Sequence, residues 1–143
     1  MSGQLQIQLT ATAEAAYMQF SEEANRCITK GDDCNPKVKF FRTLDEVLTK
    51  TIPSDPFNQK MALSGPLSSI FRFSREDLRV CYLGQGRERR IIVLYICRAS
   101  GEENDSYATF AYMVLSGKFD AAFASLGLEP PDRSGFFPTP SIN

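Results

Sequence analysis

The sequence predicts an α+β fold, with N-terminal helices packed on a small twisted antiparallel sheet and a helix returning at the C-terminal end. Three observations carry that prediction. Apolar residues alternate near the N-terminus at Leu5, Ile7 and Leu9, before the pattern lengthens to that of a helix. Three runs rich in β-branched and aromatic residues then follow closely between residues 69 and 97, separated by short turns as in an antiparallel meander. Helical spacing returns at Tyr107, Phe110, Ala111 and Val114. With 143 residues, 43% hydrophobic and 23% charged, the chain is expected to fold as one domain over residues 1–128; the Pro-, Ser- and Gly-rich stretch 129–143 reads as a tail.

In chain order, Leu5, Ile7 and Leu9 alternate with Gln4, Gln6, Gln8 and Thr10 and predict a strand with one buried face. Thr12 is a candidate N-cap for a helix from Ala13 to about Lys30, rich in alanine and glutamate and ended by Gly31. Asp32 to Pro36 reads as a turn. Thr43-Leu44-Asp45-Glu46 matches a capping box and predicts a short second helix through Leu48, stopped by Pro53 and Pro56. An irregular connection through Ser64, Gly65 and Pro66 leads to the meander.

Its first strand, Ser69 to Ser74, sets Phe71 and Phe73 opposite Arg72. The second runs from Leu78 to Leu83, and Gly84-Gln85-Gly86 offers glycines for positive φ. The third, Arg90 to Cys97, is apolar on both faces and belongs in the sheet centre. A polar loop from Ala99 to Asn104 precedes the helix that stops near Gly117, and Phe119 to Leu126 forms another helical segment ended by Gly127.

Histidine is absent, which excludes Ser-His-Asp and Cys-His catalysis, histidine-ligated metals and imidazole bases. The four cysteines, Cys27, Cys34, Cys81 and Cys97, show no paired spacing of a zinc site and read as reduced thiols. The longest apolar stretch, Ile91 to Cys97, is too short to span a bilayer, and Met1-Ser2-Gly3-Gln4 lacks the basic start and apolar core of a signal peptide, so a cytoplasmic location is expected. The formal charge is −1 overall, yet residues 72–98 hold seven arginines against Glu76, Asp77 and Glu88. That local excess suits an anionic partner.

Arg72 and Arg79 lie on neighbouring strands joined by Arg75-Glu76-Asp77, so their side chains can converge on one region of sheet. Paired guanidinium groups bind phosphate oxygens bidentately and can meet the charge of a phosphorane-like transition state. A solvated strand face with ion pairs to Glu76 or Asp77 fits the same spacing, and the residues alone leave both readings open. Arg87, Arg89 and Arg90 cluster at a hairpin tip, where they can guard a sheet edge or grip a nucleic-acid backbone. Tyr107 begins the C-terminal helix just after the loop that leaves the central strand, a position from which its phenol can face the arginines.

The segment Leu63 to Tyr82, with its Phe71-Arg72-Phe73 triplet and its Asp77-Leu78-Arg79-Val80-Cys81-Tyr82 run, resembles the signature of the RelE/ParE superfamily of type II toxin-antitoxin toxins in order and spacing. The likeness continues into Arg90 to Ile96 and covers roughly residues 5–112. It implies a RelE/ParE-like fold and metal-independent cleavage of mRNA on the ribosome, with no cofactor. Arg79 then matches the arginine that contacts the scissile phosphate, Arg98 the one that stabilises the transition state, and Tyr107 the tyrosine that relays a proton. Arg72, Arg75, Arg87, Arg89 and Arg90 make up the expected RNA-binding set. Expected partners are a cognate antitoxin, the ribosome and its mRNA. Ser74, where the family carries a second basic residue, and the missing histidine are compatible instead with ParE-like poisoning of DNA gyrase by binding alone.

Overall fold

A computed structural model of the chain describes residues 4–63, 69–99 and 106–131, the side chains of Ser106 and Tyr107 excepted. The sheet is built around β4 (Arg90–Arg98), as its two apolar faces predict. β3 (Leu78–Gln85) pairs antiparallel with one side of β4 and with β2 (Ile70–Arg75) beyond it. β1 (Gln6–Leu9) pairs parallel with the other side, giving the order β1-β4-β3-β2. The meander is therefore antiparallel as expected, and β1 makes the whole sheet mixed. Helices between β1 and the meander provide the crossover that a parallel neighbour requires.

The chain leaves β1 through Thr10, whose hydroxyl accepts from the Ala13 N–H at 3.1 Å and donates to the Leu94 carbonyl at 3.0 Å. Thr10, not Thr12, is thus the N-cap of α1 (Ala11–Thr29), and the same side chain ties the helix start to the central strand. α2 (Pro36–Glu46) opens on Asn35, whose side chain accepts from the Lys37 N–H at 2.9 Å, with proline at the first helical position. Thr43 and Glu46 consequently lie within a helix already under way, and their capping-box spacing is unused.

Nor does that helix stop at Leu48. It widens into a π-helical turn, Val47–Thr51, and continues into α3 (Ile52–Ser54). Pro53 lacks an N–H and would clash with the preceding turn of a regular helix. The wide turn absorbs it: the Ile52 N–H reaches the Val47 carbonyl, and the Thr49 hydroxyl donates to the Asp45 carbonyl at 2.7 Å.

Helices cover both faces of the sheet. On one face Ala13, Leu44, Val47 and Ile52 pack against Phe71, Val80, Tyr82, Ile91 and Val93. On the other, α4 (Ser106–Leu115) and α5 (Asp120–Ser125), with the turn between and after them, set Phe110, Val114, Phe119, Phe123 and Leu126 against Ile70, Leu83, Ile92 and Leu94. β4 carries a bulge: Cys81 faces Tyr95 while Tyr82 faces Val93, which leaves Leu94 as the extra residue. The β3–β4 turn takes its positive φ at Arg89 (51°), not at a glycine. Gly84 is instead required for close approach, because a Cβ there would lie 2.8 Å from Phe57 Cε1. No helix among the described residues is long and apolar enough to cross a membrane. The expected connection at 64–66, most of the loop after Ala99 and the tail beyond residue 131 lie outside the described residues.

Tyr82 joins the two ends of this core, its ring stacked on Phe71 at 5.4 Å and its hydroxyl donating to the Pro56 carbonyl at 2.7 Å. Burial, and secondarily the charge of Asp55, pushes its phenol above the ordinary tyrosine value. The folded state therefore holds that proton after the unfolded chain has released it, so this contribution is intact at neutral pH and lost as pH rises above about 10. Tyr82→Phe is expected to lower stability by about 1–2 kcal/mol at pH 7 in urea melts and to flatten the decline in stability at alkaline pH.

Candidate functional site

The β2–β3 hairpin fixes where its arginines go. Its turn consists of Glu76 and Asp77, with Glu76 at φ 52°, and its register pairs Arg75 with Leu78, Ser74 with Arg79 and Arg72 with Cys81. Because side chains alternate, Arg72, Ser74 and Arg79 share the face that carries Ile70 and Cys81, away from α1 and α2. Arg72 and Arg79 are diagonal neighbours there, about 7–8 Å apart along the backbone. The Arg79 guanidinium curls toward the turn and donates to the Glu76 and Leu78 carbonyls, each at 2.8 Å. That pairing aims it at the sheet end and leaves its remaining N–H groups for an anion.

Arg72 is half-buried beside Cys81. Burial drives the Cys81 thiol well above its ordinary pKa, the neighbouring Cys97 adds to the shift, and the Arg72 charge opposes it. Cys97 is opposite Arg79 in the ladder. Buried thiols thus flank both arginines on this face, Cys81 beside Arg72 and Cys97 beside Arg79.

Arg98 lies elsewhere. Strict alternation from Ile92 and Leu94 would carry it to the face of Arg79, but the extra residue at Leu94 reverses the parity, so Ile96 and Arg98 turn toward the N-terminal helices. The Arg98 guanidinium sits 4.4 Å from the Phe40 ring centroid and 5.6 Å from that of Phe20. Its buried Nε has no hydrogen-bond partner and is held instead over these aromatic faces. Arg75 shares that side, 3.8 Å from Glu46 and 5.5 Å above the Phe73 ring. Arg98 and Arg75 line a small cleft with Lys39 and Phe40.

The hairpin-tip arginines are distant again. Six ladder steps separate the Arg79–Cys97 pair from the Gln85–Arg90 pair, roughly 20 Å. Arg87 is exposed, and Arg89 forms the turn while its carbonyl accepts from the Gln6 N–H at 2.9 Å. Arg90 is a strap: it donates to the Ser125 carbonyl at 3.1 Å, the Ser125 hydroxyl at 3.3 Å and Gln8 Oε1 at 3.2 Å. Tyr107 stands in the first turn of α4, over the sheet face of Arg72 and Arg79, and its side chain lies outside the described residues. Three residues later Phe110 stacks on Tyr95 at 5.6 Å, which seats this end of α4 on β4.

The arginines thus form three groups: Arg72 with Arg79, Arg75 with Arg98, and the tip. Sequence reasoning missed Phe20, Lys39 and Phe40 as neighbours of Arg98; Asn35-Pro36, a cap followed by proline, was the signal for the helix that delivers the last two. Among the described residues no three His, Cys, Asp or Glu side chains gather as a metal site. Arg98→Ala is expected to lower stability by about 1–2 kcal/mol, through lost stem packing and ring contacts, whereas Arg79→Ala should change it by no more than about 0.5 kcal/mol; paired urea melts compare the two.

Residues 8–129 match the model of a family described as a toxin with endonuclease activity, of a toxin-antitoxin system. Among solved structures, the chain is similar to the toxin-antitoxin complex RelBE2 from Mycobacterium tuberculosis, at 15% identity and a TM-score of 0.50, covering 70% of this chain and 98% of that one. The isolated RelE toxin of E. coli follows at 14% identity and a TM-score of 0.43, covering 76% of this chain and 98% of that one. The chromosomal ParDE system of P. aeruginosa stands at 15% and 0.44, covering 66% and 96%. No curated protein matches the chain. The match over residues 8–129, together with the shared fold, places the chain in the YhaV toxin family, the endonuclease toxins of toxin-antitoxin systems.

Proposed function

We propose that the chain cleaves messenger RNA in the ribosomal A site. The 2′-hydroxyl attacks the adjacent phosphorus, the bond to the 5′-oxygen breaks, and a cyclic phosphate and a free 5′-hydroxyl result. The observation that carries this reading is the Arg72–Arg79 pair on one sheet face, where two cations on neighbouring strands can meet a phosphodiester. In the proposal Arg79 stabilises the phosphorane and Arg72 holds the backbone. Tyr107, on the helix over the same face, takes the proton from the 2′-hydroxyl or returns one to the leaving oxygen.

Arg98 acts from the opposite face as a positioning residue, fixing the end of β4 against which Arg79 is registered. Arg75, Arg89 and the exposed Arg87 supply backbone contacts, and Arg90 holds the tip in shape. A cognate antitoxin is the expected partner, consistent with the toxin-antitoxin complex among the structural neighbours. The site of action is the cytoplasm, and the working unit is a single domain, residues 1–128, followed by the 129–143 tail.

Induced expression should arrest growth by blocking translation, and Arg79→Ala should relieve the arrest while Arg26→Ala, on the exposed flank of α1, remains toxic. The lost charge-assisted contacts correspond to about 1.5–3 kcal/mol, or roughly 10- to 150-fold, in RNA binding alone. Primer extension on ribosome-bound message should show codon-phased cuts with the wild-type chain. Intact message accompanied by cleaved, gyrase-trapped DNA would refute the nuclease reading.

A further inference from the structure

β1 is an edge strand without the usual protection of one. Its stretch Gln4 to Thr10 holds no charge, no proline and no bulge, the features by which exposed edges are normally kept from pairing with other chains. The hydrogen-bond pattern shows which groups are left open. The Gln6 N–H reaches the Arg89 carbonyl at 2.9 Å and the Thr10 N–H the Val93 carbonyl at 3.0 Å, so in this parallel pair the even-numbered residues bond to β4. The backbone groups of Leu5, Ile7 and Leu9 therefore point away from the sheet.

Those same three residues turn their side chains into a cleft of about 720 Å³ between β1, α1 and the π-helical turn. Met18 stands on its α1 wall, 54% exposed. A strand laid beside β1 would bond to Leu5, Ile7 and Leu9 and drop every second side chain into an apolar trough. The charged groups lining the cleft are both carboxylates, Glu14 and Asp45, the latter accepting a hydrogen bond from the Tyr17 hydroxyl at 3.0 Å. A second copy of this chain would bring these carboxylates against their own kind, whereas a basic segment would neutralise them.

We propose that the β1 edge is a docking site for a β-strand of a partner protein, apolar at alternate positions and carrying lysine or arginine where it passes Glu14 and Asp45. The site lies on the edge of the sheet opposite to β2 and does not rest on the nuclease reading. It is tested with the full chain and fluorescein-labelled synthetic peptides in which valine alternates with threonine and lysine, with threonine and glutamate, or with the first pattern broken by a central proline. Anisotropy titrations should show the lysine peptide binding on the order of tenfold more tightly than either control.

Met18→Ser should weaken it by a similar factor with circular dichroism unchanged. Glu14→Lys should shift the preference toward the glutamate peptide. Equal binding of the lysine and glutamate peptides, a preference that survives Glu14→Lys, or failure of the lysine peptide to bind overturns the proposal. So does a dimer in sedimentation that Met18→Ser abolishes, since that assigns the edge to a second copy.

Discussion

A strand that is apolar on both sides cannot lie at a surface, and β4 imposes that condition on the whole molecule. Ile91, Ile92, Val93 and Leu94 are each no more than 5% exposed, and burying such side chains is worth about 1.5–3 kcal/mol apiece. Four of them approach the entire net stability of a small domain, about 5–15 kcal/mol. Neither face of the sheet can be surrendered to water without losing much of that sum. Helices from the beginning of the chain close one face and helices from its end close the other, and the Thr10 hydroxyl on the Leu94 carbonyl fixes the first layer to the strand itself.

The same strand decides which arginines work together. A cluster of seven in the sequence suggests one basic surface, but register and parity divide it. The β2–β3 ladder brings Arg72 and Arg79 onto one face. A single extra residue, Leu94, sends Arg98 to the other, where Phe40 and Phe20 receive it. Ladder length then separates both from the tip. Convergence in sequence and convergence in space are different properties in a sheet, because one inserted residue reverses every side chain beyond it.

How much was legible follows from what each signal depends on. The meander, the central placement of Ile91 to Ile96 and the glycine-ended helices were readable, because alternation, apolar runs and C-terminal glycines act locally and all pointed one way. The pairing of Arg72 with Arg79 followed from a turn of two residues. The partners of Arg98 were not legible: the bulge leaves no mark in an unbroken apolar run, and its direction shows only once both cores are seen. The helix across residues 36–54 was misread in two places, since Thr43-Glu46 imitates a start and Pro53 imitates a stop, and a widened turn overrides the second. Thr10 reads in the sequence as part of the strand and Thr12 as the cap; the cap is Thr10, whose hydroxyl reaches a carbonyl that lies 84 residues away in the chain.

That last distance has a temporal meaning. β1 is made more than eighty residues before the stretch of β4 that it pairs with, Gln6–Leu9 against Arg90–Val93. At about 5–20 residues per second the nascent strand waits roughly 4–17 s before it can be paired. Until then the sheet lacks its centre, and the face that holds Arg72 and Arg79 has nothing to be built on. In this sheet the order of synthesis and the order of pairing run in opposite directions, the strand made before all the others being the last to find its neighbour.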